Sequence, residues 1–278
     1  MALADAKETA AAERASGSSF YNAMRILPRA QREAMFEIYS FCRQVDDIAD
    51  STGPRDERRA ELGRWRADVD ALYAGRPVAR TKGLVAPVSD FALRREDFHA
   101  IIDGMEMDVV ADIQAPDDAT LDLYCDRVAS AVGRLSVRIF GMDEHDGVAL
   151  AHHLGRALQL TNILRDIDED AALQRLYLPK EALQDAGIGT TDPASVLASP
   201  GLPKVCARVI ARAREHFARA DAIIARSPRR ATRAPRIMGE AYRLILDGLV
   251  ARGWSSPRHP IRLPRARLIL IILRHAFV

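Results

Sequence analysis

Acidic side chains recur at helical spacing in two places. In Gly155 to Ala172, GRALQLTNILRDIDEDAA, the residues Gln159, Asn162, Asp166 and Asp170 fall at i, i+3, i+7 and i+11, a single stripe of one helix. Its other sides carry Leu158, Leu160, Ile163, Leu164 and Ile167. A helix apolar over most of its surface is buried, and carboxylates inside a bundle are costly unless a cation meets them. In Tyr39 to Asp50, YSFCRQVDDIAD, Asp46 and Asp50 again stand one turn apart on one face, with Arg43 a turn before Asp46. Two carboxylates roughly 6 Å apart repel by about 3 kcal/mol at an effective dielectric of about 20. Two such helices facing each other across a bundle therefore need cations. Hard oxygen ligands that leave places for water and phosphate oxygens suit magnesium rather than zinc. The chemistry this implies is the handling of a diphosphate, with Arg43 and Arg165 placed to neutralise charge on a departing phosphate and to favour ionisation to an allylic cation.

The elements that must position these residues are helices. A short helix broken around Pro28 leads to a longer one through Asp50, stopped by Gly53-Pro54. Residues 56–74 form an amphipathic helix with Leu62, Trp65, Val69 and Leu72 inward, whereas 78–93 has no decisive period. A helix spans 94–113, and its Asp103, Glu106 and Asp108 lie on different faces, so all three read as solvated or capping carboxylates. A helix over 119–140 carries the small-residue run Ala129, Ser130, Ala131 and Gly133, which suits close helix packing or ligand approach. The acidic helix starts near Asp143 or Glu144, and His152 and His153 on it read as structural or surface histidines. Two further helices occupy about 204–227 and 231–252. No alternating β-branched run stands out, so the chain reads as an all-α bundle over 1–278, frayed at 1–16.

Composition limits the alternatives. The net charge of +2 divides into −11 before residue 201 and +13 from there onward. The basic part interleaves arginines with aliphatics and matches no nucleic-acid recognition module, so no nucleic-acid partner is expected. Cys42, Cys125 and Cys206 lack metal-clamp spacing and read as free thiols of a reducing cytoplasm. The first residues lack the apolar core of a secretion signal, and the run Leu268–Leu273 is too short to span a bilayer. The segment 260–278 reads equally as a last core helix or as an interfacial one, with Arg262, Arg265, Arg267 and Arg274 at anionic headgroups; a greasy substrate favours the second.

Five blocks, SSFYNAMRILP, YSFCRQVDDIAD, YCDRVASAVG, LQLTNILRDIDED and RLYLP, resemble the squalene and phytoene synthase family in order and spacing. The resemblance implies an isoprenoid-synthase-type helical bundle with a central cavity. It implies that Asp46, Asp50, Asn162, Asp166 and Asp170 bind Mg²⁺ and diphosphate, and that Ser18, Ser19, Phe20, Tyr39, Arg43, Gln159, Arg165 and Tyr242 line prenyl diphosphate sites. From the residues alone, Phe20, Tyr39 and Tyr242 are core packing. The reaction implied is head-to-head condensation of two farnesyl diphosphates to presqualene diphosphate, and FYNAMRILP with YCDRVASAVGRLS looks most like the bacterial branch that supplies hopanoid precursors. Squalene synthases of the one-enzyme type have a tyrosine just before the V-A-G run; Asp126-Arg127 stands here, leaving Tyr124 as the nearest phenol. Tyr124 and the released diphosphate are the two candidate bases for cyclopropane closure. NADPH is not expected, partners would be downstream squalene-pathway enzymes, and the location would be cytoplasmic, peripheral on the inner membrane. The alternatives are a phytoene synthase acting on geranylgeranyl diphosphate, an enzyme converting presqualene diphosphate to hydroxysqualene, and a non-catalytic assembly protein of the same fold.

Overall fold

The structure is a computed structural model that describes Met24 and residues 26–110 and 113–276. Its helices, in chain order, are α1 (Arg29–Asp50), α2 (Arg55–Tyr73), α3 (Val85–Asp90), α4 (Arg95–Val110), α5 (Asp118–Cys125), α6 (Ala131–Ile139) and α7 (Glu144–Arg165). After these come α8 (Ile167–Ala172), α9 (Lys180–Asp185), α10 (Pro193–Ala198), α11 (Leu202–Arg226), α12 (Arg229–Arg252) and α13 (Arg265–Ala276). Among the described residues no strand forms, and β-type pairing is limited to an isolated bridge between Gln114 and Leu176.

The starts of these helices follow from local chemistry. Pro28, Pro54 and Pro228 occupy the N-cap positions of α1, α2 and α12, where the missing N–H costs nothing. Asp117 accepts from the Thr120 N–H at 2.7 Å to cap α5, and Asp143 accepts from the His145 and Asp146 N–H groups to cap α7. The ambiguous stretch 78–93 resolves into a 3₁₀ turn, Ala79–Leu84, followed by α3.

One core cluster joins α1, α2, α4 and α6, with Phe41 edge-on to Trp65 at 5.3 Å and to Phe98 at 5.2 Å. A second gathers around α7 and α11. Between α5 and α6 the chain makes a π-helical turn, Asp126–Ser130, where an uninterrupted helix was expected. Buried Arg156 of α7 secures that turn: it donates twice to Asp122 at 2.8 Å, and also to Asp126 at 3.2 Å and to the Ser130 hydroxyl at 3.0 Å. A buried guanidinium is tolerated because these acceptors surround it.

The small-residue run has a steric purpose. A Cβ on Gly155 would lie 2.8 Å from the Ser130 backbone, and one on Gly133 would lie 3.0 Å from the Ala151 Cβ. Backbone cannot step aside as a flexible side chain does. Gly155→Ala is therefore expected to cost about 1–3 kcal/mol of stability by overpacking, read as a lower Tm or denaturation midpoint; an unchanged midpoint would show that α7 has room to shift.

Candidate active site

The packing of α1, α4, the π turn, α6, α7 and α12 leaves a cavity of about 670 Å³ between the two core clusters. Asp46 and Asp50 from α1 line it, and so do Asn162, Asp166 and Asp170, although more than a hundred residues separate the two groups in sequence. Tyr39, Arg43, Tyr124, Gln159, Arg165 and Tyr242 also line it, and Tyr39 and Tyr242 pack against the core while bordering the cavity. Ser18, Ser19 and Phe20 lie outside the described residues.

The second acidic stripe is not on one unbroken helix. α7 ends at Arg165, Asp166 takes φ −96° and ψ 10°, and α8 resumes at Ile167. Hydrogen bonds from Asp166 N–H to Asn162 O and from Asp170 N–H to Asp166 O, both 2.8 Å, carry the register through the interruption. The stripe survives the bend because these two bonds keep the i, i+4 succession. Arg165 chelates the Asp166 carboxylate through two 2.7 Å bonds, and Arg43 donates to Asp46 at 2.9 Å and to Asp47 at 3.1 Å.

Asp108 overturns its reading as a solvated or capping carboxylate. It is buried, it lines the cavity, and it accepts from the Tyr177 hydroxyl at 2.7 Å and from the Tyr124 hydroxyl at 3.1 Å. Its spacing from Asp103 and Glu106 misled; Ile101, Met105 and Asp108 fall at i, i+4 and i+7, one inward face. Asp103 and Glu106 do face outward, where they pair with Arg66. Tyr124 and Tyr177 stack with centroids 4.9 Å apart. Arg175 is a second residue that sequence spacing did not single out. It donates to Asp50 at 2.7 Å and to Ala49 O at 3.1 Å, tying the end of α1 to the segment after α8.

Carboxyls outnumber guanidiniums on the cavity lining: Asp46, Asp50, Asp108, Asp166, Glu169 and Asp170 against Arg43, Arg165 and Arg175. Burial, reinforced by Asp50, raises the Asp46 carboxyl to about 6. Burial and Asp166 raise Asp170 to about 7 despite Arg175, and burial raises Asp108 to about 6 against the hydrogen bonds that favour its charged form. Burial and the Asp108 charge push the Tyr124 phenol well above its ordinary value, while the Asp166 carboxylate holds the Arg165 guanidinium firmly protonated. The Oδ1 of Asn162 is a buried acceptor with no hydrogen-bond donor, and its amide nitrogen donates to Gln159 at 3.3 Å. An orphaned carbonyl oxygen among carboxylates that repel one another fits a hard divalent cation.

The rest of the lining is largely apolar, with Ile38, Ile101, Met105, Leu154, Leu158 and Met238 facing the space. A helical bundle enclosing a largely apolar cavity that two acid clusters share defines an isoprenoid-synthase-type enzyme. A family model for squalene/phytoene synthase matches residues 13–267. A presqualene diphosphate synthase of Rhodopseudomonas palustris is 64% identical over 264 residues, covering 95% of each chain. A phytoene synthase of Rhodobacter capsulatus is 34% identical over 221 residues, 74% of this chain and 62% of that one. A solved dehydrosqualene synthase in complex with ligand superposes with a TM-score of 0.83 at 25% identity, covering 97% of this chain and 95% of the other. The chain belongs to the squalene/phytoene synthase family and is a prenyltransferase.

Proposed function

We propose that the chain condenses two farnesyl diphosphates head to head into presqualene diphosphate, releasing one diphosphate. The observation that carries this reading is the joining of both acid clusters to one apolar cavity, supported by the 64% identity to a presqualene diphosphate synthase. Asp46 and Asp50 on one side and Asn162, Asp166 and Asp170 on the other would hold Mg²⁺. When bound, Mg²⁺ supplies positive charge to the diphosphate that leaves. Arg43 and Arg165 lie on the same lining and stabilise that developing charge. The aliphatic walls exclude water, so the allylic cation meets the second substrate's double bond before it meets a hydroxyl.

The released diphosphate is the better base for closing the cyclopropane. Tyr124 donates its proton to Asp108, and a phenolate there would set a second negative charge against that carboxylate. Tyr124→Phe is thus expected to keep kcat within about tenfold of wild type, since loss of a true general base costs about 10²–10⁴-fold. Asp126, beside the V-A-S run, pairs with Arg134 and Arg156, and the cavity lining includes neither it nor Arg127. With no phenol at that place, presqualene diphosphate is the end product of this reading. Purified protein given farnesyl diphosphate and Mg²⁺ tests it: mass analysis should show presqualene diphosphate, unchanged in amount by NADPH. Phytoene-type products from geranylgeranyl diphosphate alone would contradict it.

Among the described residues no helix is long and apolar enough to cross a membrane. α13 supports surface attachment instead. Ile271 turns inward onto Ile237, Met238 and Ala241, while Ile269, Leu270 and Leu273 stay exposed near Arg267 and Arg274. Cosedimentation with anionic vesicles should fall at least about tenfold in Leu270→Glu and weaken with salt; equal binding by the variant would remove α13 from that role.

A further inference from the structure

Three histidines meet outside the cavity. His152 and His153 lie on α7, and His216 reaches them from α11 across the groove between the two helices. The Nδ1 atoms of His153 and His216 are 3.0 Å apart, and candidate donor atoms of all three rings fall within 4.8 Å of one another. The ring centroids are 4.7 Å apart for His152 and His153, 5.9 Å for His152 and His216, and 5.2 Å for His153 and His216. We propose that this trio is an imidazole site for a borderline transition-metal dication of the Zn²⁺ type, separate from the oxygen-ligated diphosphate site.

The argument is geometric first. A Zn–N bond of about 2.0–2.1 Å sets neighbouring nitrogens of a tetrahedron about 3.3 Å apart. The His153–His216 pair, at 3.0 Å, is close to that spacing, and the third ring, whose donor atom lies within 4.8 Å of the others, closes by rotation about its side-chain torsions. At 3.0 Å one Nδ1 donates to the other in the neutral pair, and metal binding through both Nδ1 atoms requires the donor ring to take its other tautomer, its proton passing through water from Nδ1 to Nε2 so that both rings ligate as neutral imidazoles. The charges around the trio allow a dication. Arg156 is held by Asp122 and Asp126, Arg212 by Asp118, and Arg219 by Glu215, so the neighbouring guanidiniums already have carboxylate partners. Burial and the two other rings hold His216 down to about 4, and His152 and His153 are lowered by burial as well. All three are therefore neutral at physiological pH, the form that binds metal. Three imidazoles also leave a fourth position open for water, and a bound ion would brace the helix of the second acidic motif against α11.

The test uses the full-length protein, stripped with chelator and kept in excess Mg²⁺ so that the acid clusters do not compete. Zn²⁺ titration should show one tight equivalent, and Co²⁺ should give a visible ligand-field band that Zn²⁺ bleaches. His216→Ala and the milder His153→Gln should each weaken binding at least about 100-fold, with helical circular dichroism kept. An Asp46→Asn, Asp166→Asn double variant should keep the equivalent. Absence of the tight equivalent in wild type overturns the proposal, as does binding that survives in both histidine variants or disappears with the aspartates.

Discussion

Asp46→Asn and Asp166→Asn are each expected to lower kcat/KM for farnesyl diphosphate by about 10²–10³-fold. Each exchange removes a charge and a hard oxygen donor while keeping the shape of the side chain. Asp46 is the cleaner probe, because Asp166 also anchors Arg165 through two 2.7 Å bonds, and its loss disturbs two groups at once. For Asp46→Asn the effect should appear without a loss of stability. In the metal-free protein the Asp46 carboxylate is already penalised by burial and by Asp50, so asparagine there is neutral or mildly stabilising. Asp168→Asn is the control: its carboxylate is held by Arg258 at 2.6 Å and does not line the cavity. It should keep near-wild-type turnover, and an equal loss there would show that general acidity rather than the opposed clusters matters.

The second large effect is on pH. Asp46 titrates at about 6 and Asp170 at about 7, both above their ordinary range. Protons therefore compete with cations, and an occupant that needs both carboxylates charged should bind about 100-fold more weakly at about pH 5.5 than at about pH 7.5. The stability of the metal-free protein runs the other way. A raised carboxyl contributes stability that is fully present below its unfolded pKa and is lost as pH rises through its folded value, so these acids cost stability above about pH 6–7. Mg²⁺ with a diphosphate should consequently raise Tm more at about pH 8 than at about pH 5.5, measured by thermal scans at matched ionic strength. A gain independent of pH would mean that these carboxylates are not the ligands.

The helices and most of the cavity lining were legible because their signals are periodic. Carboxylates one turn apart on otherwise apolar helices stand out, and proline and aspartate caps mark where helices begin. What the sequence hid depends on comparison across faces or across chain segments. Asp108 stands out only when set beside Ile101 and Met105, with which it shares the inward face, and not beside the neighbouring acids. The interruption at Asp166 has no glycine or proline to announce it. Arg175 and Tyr177 meet Asp50 and Asp108 only because the bundle closes, and nothing local to RLYLP encodes that. His216 likewise joins His152 and His153 from another helix. In the final segment the aliphatic run alone does not tell which side turns inward; α13 buries Ile271 and exposes Leu270, 3% against 67%.

Asp46 and Asp50 should grip the same metal-bound diphosphate as Asn162, Asp166 and Asp170. A crystal structure with an unreactive thio-diphosphate analogue of the substrate and Mn²⁺, read by anomalous scattering, tests it most directly. Metal peaks should appear against both acid clusters, with one diphosphate bridging them and the prenyl chain descending between Leu154 and Met105. Metal at a single cluster, or a diphosphate bound away from both, would contradict it.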